Sequence, residues 1–222
     1  MKILNLYAGI GGNRKLWPIK DADEVVAVEI EPKIAEIYQR FFPKDKVIIA
    51  DAHQYLLEHY KEFDFIWSSP PCPTHSHTNN FLNAQGIVRY PDMALYQEII
   101  FLKHFFKGVW VVENVRPYYE PLIKPQEAGR HCFWSNASIL SFAVDKGISV
   151  TNCKGATRRT WKEHISSLQK LHGFDLSCFK QIGKYGHYKL LANCVKPELG
   201  LHVWNCAFKE KQLTIELSKG VQ

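Results

Sequence analysis

Lys2-Ile3-Leu4-Asn5-Leu6-Tyr7-Ala8-Gly9-Ile10-Gly11-Gly12 is a short apolar run that ends in a cluster of glycines. The run predicts a buried strand over residues 2–7, feeding a turn and then a helix. Glycine turns tightly and lets a ligand approach the backbone. A helix start beyond the turn can face the polar groups of that ligand. Taken alone, the same residues describe any strand–helix turn, so their meaning rests on the rest of the chain.

Downstream, the pattern repeats. A β-branched run over 24–28 ends at Glu29 and Glu31. Pro32 opens a helix over 33–42, with Ile34, Ile37, Tyr38 and Phe41 on one face, and Pro43 stops it. A third strand, 46–49, ends at Asp51; a fourth, 63–67, ends at Ser68-Ser69-Pro70-Pro71-Cys72. Helical spacing returns over 92–106, and a fifth strand, 109–112, ends at Glu113-Asn114-Val115. Near-continuous apolar strands alternating with helices predict an α/β chain with a parallel sheet covered on both faces. In such sheets ligands bind beyond the carboxyl ends of the strands. Here every strand ends in glycines, carboxylates or a cysteine, so the chemistry is stacked along one edge.

The 222 residues suit one domain with a small appendage, and 46% apolar residues supply a core. A net charge of +6 is mildly favourable to a polyanionic partner. The six cysteines are scattered without a CxxC pair, which argues against zinc and against a disulfide scaffold. The N-terminus turns polar too soon for a signal peptide, and no apolar run approaches membrane-spanning length. These features predict a soluble cytoplasmic protein with no membrane partner and no metal; they leave monomer and homodimer open. Beyond Trp134 the pattern weakens into a basic segment, 154–162, and a closing turn and helix over 190–204.

Individual residues sharpen the edge. Glu29 ends the second strand 17 residues past Gly12, where a carboxylate commonly accepts from ribose hydroxyls. Asp51 ends the third, where a carboxylate can accept from an adenine amino group. A nucleoside-containing cofactor explains loop, Glu29 and Asp51 together; Glu31 and Asp21 read as solvated charges. Two prolines hold Cys72 in a rigid turn. An isolated cysteine is more often a small buried hydrophobe, but the strand-end position of Cys72 marks a nucleophile, which needs help to ionise because a free thiol does so near ~8.5. The other cysteines keep the plain reading. Glu113, beside that thiol, is placed to donate a proton to a ring nitrogen as sulfur attacks the ring; the competing reading is an ion pair with Arg116 or Lys124. His75-x-His77 is read as cover for the site or as contacts to the backbone of a polyanionic partner, not as a metal site.

These pieces, in order, resemble the DNA cytosine-5 methyltransferase family: Tyr7-Ala8-Gly9-Ile10-Gly11-Gly12, then Pro71-Cys72 with Ser76, then Glu113-Asn114-Val115, then Leu171-His172-Gly173-Phe174 and Leu191-Ala192-Asn193-Cys194-Val195-Lys196-Pro197. The likeness runs from residue 3 to about 204. Phe133-Trp134-Ser135-Asn136 and Pro197-Glu198-Leu199-Gly200, with the compact length, are most similar to phage and prophage members. The resemblance implies a Rossmann-like class I methyltransferase with a mostly parallel, doubly wound sheet. It divides the chain into a catalytic and cofactor region, 1–134, a reduced target-recognition region, 135–167, and a closing segment, 168–222. It implies S-adenosylmethionine, in a pocket formed by Tyr7, Ala8, Gly9, Ile10, Gly11, Gly12, Glu29, Ile30, Asp51, Ala52, Pro70, Asn193 and Cys194. It implies that Cys72 attacks carbon 6 of a flipped-out cytosine in DNA, that Glu113 contacts ring nitrogen 3, and that Asn114 orients the loop. Arg130 joins the catalytic group, and Ser76, Lys154, Arg158 and Arg159 meet the substrate.

The chain departs from the family at three places. Pro73 follows Cys72 where a polar residue is usual. The usual Arg-x-Arg pair is here Arg130-His131-Cys132, with one arginine. The region between Trp134 and Leu168 is short, and base-edge readout needs several side chains in the major groove. The expectation is low or short-site specificity, with phosphate contacts from Lys154, Arg158, Arg159 and Lys162 dominating. The alternatives are an RNA cytosine methyltransferase, a catalytically silent homologue that stimulates a partner, and an enzyme acting on a free cytosine nucleotide.

Overall fold

β1 (Lys2–Leu6) lies between two parallel neighbours, β2 (Glu24–Glu29) and β4 (Phe65–Ser68), with Leu4 opposite Val26 on one side and Ile66 on the other. β3 (Lys46–Ile49) extends the sheet beyond β2, and β5 (Val109–Val115) extends it beyond β4, all in parallel. A hairpin of β6 (Gln126–Ala128) and β7 (His131–Ser135) then closes the edge, β7 running antiparallel to β5. The strand order is β3-β2-β1-β4-β5-β7-β6. The structure, a computed structural model, describes residues 1–142 and 158–209.

Successive strand residues point to opposite faces, and both faces are buried. Leu4, Leu6, Val26, Val28, Ile66 and Val112 pack under α2 (Ala52–His59) and α4 (Ala94–Phe105). Ile3, Val25, Phe65, Trp67 and Val111 pack on the other face against Trp17 and α7 (Pro197–Ala207). This double burial is why the strands read as unbroken apolar runs. A third cluster packs α5 (Arg158–His172) and α6 (Gly183–Ala192) against α1 (Pro32–Phe41), through Ile10, Ile37, Ile165, Leu168, Phe174 and Leu191. Among the described residues no helix is long and apolar enough to cross a membrane.

The expected helix after the glycine loop is absent. Residues 12–16 form turns, with Trp17 N–H donating to the Arg14 carbonyl at 3.1 Å, and beyond them Ile19 N–H donates to the Trp17 carbonyl at 2.9 Å. Pro18 bars Trp17 from helical geometry. Arg14 is drawn inside to a two-pronged ion pair with Asp45, at 3.0 and 2.9 Å. β5 also runs three residues past its expected end at 112, because β7 supplies partners for Glu113, Asn114 and Val115. α2, the short α3 (Thr78–Asn83) and the β6–β7 hairpin have no counterpart in the sequence pattern.

His172 ends α5 inside the fold, only 4% exposed, with no hydrogen-bond partner for either ring nitrogen among the described residues. Burial depresses its pKa from 6.5 to about 4. Between those values the unfolded chain binds a proton that the folded chain refuses, so stability falls as pH drops through that window and levels off below it. Urea unfolding at pH 7 and pH 4 should show a loss from this residue on the order of 3 kcal/mol. His172→Leu should remove that part of the pH dependence.

Candidate active site

Four strand ends open on one cavity of about 1060 Å³. On the β1 side, Tyr7 leaves the strand in the left-handed region, φ 53°, a conformation a bulky residue adopts only when its surroundings hold it. Its hydroxyl donates to Glu98 at 2.6 Å. Gly9 N–H donates to Glu29 Oε2 at 2.9 Å, and Glu31 N–H donates to Glu29 Oε1 at 3.0 Å. One carboxylate thus ties the glycine loop to the turn after β2. A Cβ on Gly9 would meet nothing within 4 Å, so the loop backbone stands open to the cavity there. Gly12 is the opposite case: a Cβ would collide with the Cys194 thiol and the Val195 carbonyl, which form the floor.

On the β4 side, Cys72 is half-buried at the cavity wall. Asn114 fixes the turn before it by donating Nδ2–H to the Pro70 carbonyl at 3.0 Å, while its Oδ1 accepts from Val115 N–H at 2.9 Å. Beyond Cys72, its carbonyl accepts the N–H groups of His75 and Ser76, each at 3.0 Å. Asn79 donates to the Pro73 carbonyl at 2.8 Å. Burial pushes the Cys72 thiol up, and the Glu113 charge pushes it further; its own backbone N–H pulls the other way. The resting thiol is therefore protonated near neutral pH.

Glu113 is 5% exposed, and its partner is neither Arg116 nor Lys124: His131 Nδ1 lies 2.6 Å from Glu113 Oε1. Arg116 is taken by Glu127 at 2.7 Å and the Gly129 carbonyl at 3.2 Å. His131 and Glu31 also line the cavity, and sequence reasoning marks neither as functional. The β5–β7 register is the only signal for His131, and pairing with a hairpin is not visible in composition.

Of the residues singled out, Tyr7, Ala8, Gly9, Ile10, Gly12, Glu29, Ile30, Pro70, Asn193 and Cys194 line this cavity. So do Cys72, Ser76, Glu113, Asn114 and Arg130. Gly11 lies just outside it, against Tyr38 and Phe42. Asp51 and Ala52 are not in its lining: Asp51 caps α2, its carboxylate accepting Gln54 N–H at 2.8 Å. Lys154 lies outside the described residues, as do the side chains of Arg158 and Arg159. His75 is buried against the Tyr119 hydroxyl at 2.6 Å, whereas His77 lines the cavity.

The family model for C-5 cytosine-specific DNA methylase matches residues 1–119. A tRNA (cytosine(38)-C(5))-methyltransferase of Spodoptera frugiperda is 31% identical over 110 residues, covering 43% of this chain and 33% of that protein. Type II methyltransferase M.FnuDI of Fusobacterium nucleatum is 25% identical over 150 residues, covering 65% of this chain and 43% of that protein. The chain thus spans less than half the length of either relative. Among solved structures, the Entamoeba histolytica methyltransferase EhMeth superposes with a TM-score of 0.56 at 12% identity, over 94% of this chain and 98% of that one. The seven-stranded, mostly parallel sheet is that of the class I methyltransferases.

The Glu113 charge can be tested directly at the thiol. Glu113→Gln removes one of the two influences that raise Cys72. Iodoacetamide labelling of Cys72 at pH 7.5, read by mass spectrometry, should speed up by as much as about tenfold, equivalent to one pKa unit. An unchanged rate would mean that burial alone sets the thiol.

Proposed function

This chain belongs to the C-5 cytosine-specific DNA methylase family, and on that premise we propose that it transfers a methyl group from S-adenosylmethionine to carbon 5 of cytosine in DNA. The observation that carries the reading is the meeting of Cys72, Glu113 and the Glu29-anchored glycine loop on one cavity. The residues there suit a nucleoside-containing donor. Glu29 offers a carboxylate at the end of β2, Gly9 leaves space beside the backbone, and Ile30, 63% exposed, offers an apolar wall. The bound donor supplies an electrophilic methyl group.

The chain's own residues prepare the base. The cytosine must leave the stack to reach Cys72, at a cost of a few kcal/mol that contacts to the strand offset. Cys72 gives its proton to the Glu113 carboxylate as its sulfur bonds to carbon 6. The carbon 5–carbon 6 π electrons then make carbon 5 nucleophilic, while Glu113 donates a proton to ring nitrogen 3. After carbon 5 takes the methyl group, its hydrogen leaves as a proton to water, ring nitrogen 3 returns its proton by way of Glu113 to the Cys72 sulfur, and the sulfur–carbon 6 bond breaks, restoring the ring and the thiol. Asn114 holds the Pro70 carbonyl, so it serves the position of Cys72 from behind. Arg130 and Ser76 border the same space and are assigned to the target nucleotide.

The net charge of +6 and the likeness to M.FnuDI favour DNA. Residues 135–167 are assigned to target recognition; so short a segment supports low or short-site specificity, with Lys154, Arg158, Arg159 and Lys162 on phosphates. RNA is the second reading, favoured by the 31% identity to the tRNA enzyme.

Purified protein with labelled S-adenosylmethionine should place 5-methylcytosine in duplex or single-stranded DNA, and Cys72→Ala should abolish it. Label in transfer RNA or dCMP instead would move the substrate. No transfer to any of the four would leave a silent homologue.

A further inference from the structure

The register of β5 and β7 sets Glu113 against His131. Glu113 stands opposite Phe133, and Val115 stands opposite His131. Glu113 and His131 are therefore diagonal neighbours on one face of the sheet, within reach of long side chains. The two side chains are 7% and 13% exposed, and Nδ1 lies 2.6 Å from Oε1. Both border the cavity that holds Cys72.

The surroundings leave this contact to the imidazole. Arg116, at the end of β5, is engaged by Glu127 of β6 and by the Gly129 carbonyl. Cys132, next to His131, is buried and its thiol is pushed up to about 11, chiefly by burial. Arg130 and His77 border the cavity, but neither makes a hydrogen bond or ion pair to Glu113 among the described residues. A carboxylate so little exposed needs a donor, since burying a charge without one costs several kcal/mol.

We propose that His131 is a positioning residue for Glu113, holding Oε1 through an Nδ1–H donor so that Oε2 is the oxygen offered to the pyrimidine ring. This rests on the reading of Cys72 and Glu113 as the methyl-transfer pair. When Glu113 gives its proton to ring nitrogen 3, the Nδ1–H bond stabilises the carboxylate left behind. The proton returns through Glu113 to the Cys72 sulfur when the sulfur–carbon 6 bond breaks, so the pair ends each cycle as it began, with Glu113 a carboxylate.

Two measurements test this. In the resting protein, nitrogen-15 spectra of labelled histidine should place a proton on Nδ1 of His131, and Glu113→Gln should perturb that nitrogen. In methyl transfer to the DNA the protein accepts, His131→Ala should lower kcat by about 10²-fold with KM little changed, as for a misplaced reacting group. His131→Asn, whose amide nitrogen can occupy the place of Nδ1, should recover much of that rate. A purely structural role would not depend on a donor at this place, so Asn would do no better than Ala. An unprotonated Nδ1, or an Asn variant as slow as the Ala variant, would overturn the proposal. A wild-type protein that transfers no methyl group would sink the reading of function, while the nitrogen spectra would still decide whether His131 donates to Glu113.

Discussion

The Glu98 carboxylate is wholly buried in the middle of α4, and donors from three other places converge on it. Tyr7 at the end of β1 and Ser68 at the end of β4 each donate a hydroxyl at 2.6 Å, and His53 of α2 lies 3.0 Å away. A buried carboxylate is costly unless its lone pairs are filled, and here the filling groups are the ends of the central strands. The hydrogen bond to Glu98 raises the His53 pKa, and burial with the Glu98 charge keeps Tyr7 protonated. The left-handed backbone of Tyr7, which turns the chain into the glycine loop, is held from below by this contact. The direction in which the loop leaves the sheet therefore depends on a charge that never meets the cavity.

The other wall depends on the first antiparallel pairing of the sheet, β5 with β7. Four parallel neighbours carry the chain from β3 to β5, and only β7 runs against its neighbour β5. Antiparallel pairing lengthens β5 through Val115, so Glu113 and Asn114 sit in rigid strand and not in a loop. Their carboxylate and amide can then be aimed, one at His131 and one at the Pro70 carbonyl. Placing such groups on strands gives tighter geometry than a loop would.

The same physics decides how much of this is legible in the sequence. The parallel strands β1, β2, β4 and β5 can be read because both of their faces are buried, leaving unbroken runs such as Lys2–Leu6 and Glu24–Glu29, while the edge strand β3, with no buried residue, is read from its β-branched run alone. The strand ends come with them, and so do Cys72, Glu113 and Glu29. Gln126–Ala128 cannot be read, being three residues without an apolar pattern. Glu98 looks like one charge in an apolar helix, because nothing local says which donors will reach it. Asp51 also carries a signal for its capping of α2: Asp51-Ala52-His53-Gln54 has the spacing of a helix cap. The missing helix after Gly12 is likewise foreshadowed by Pro18.

The glycine cluster shows why a motif and a site differ in information. Gly9 and Gly11 take left-handed φ of 54° and 82°, which any tight turn after a strand would ask for. Gly12 answers another need, since its missing Cβ makes room for the Cys194 thiol and the Val195 carbonyl. Gly200 does the same from the far end, where α7 runs against the backbone of Asn13. The cavity floor is thus made where the first and last elements of the described chain touch, some 180 residues apart in sequence. Such a floor forms only when α6 and α7 have docked. The loop's shape is local, whereas its capacity to enclose a ligand is a tertiary property, which is why the cluster is ambiguous alone and gains meaning from Asn193 and Cys194.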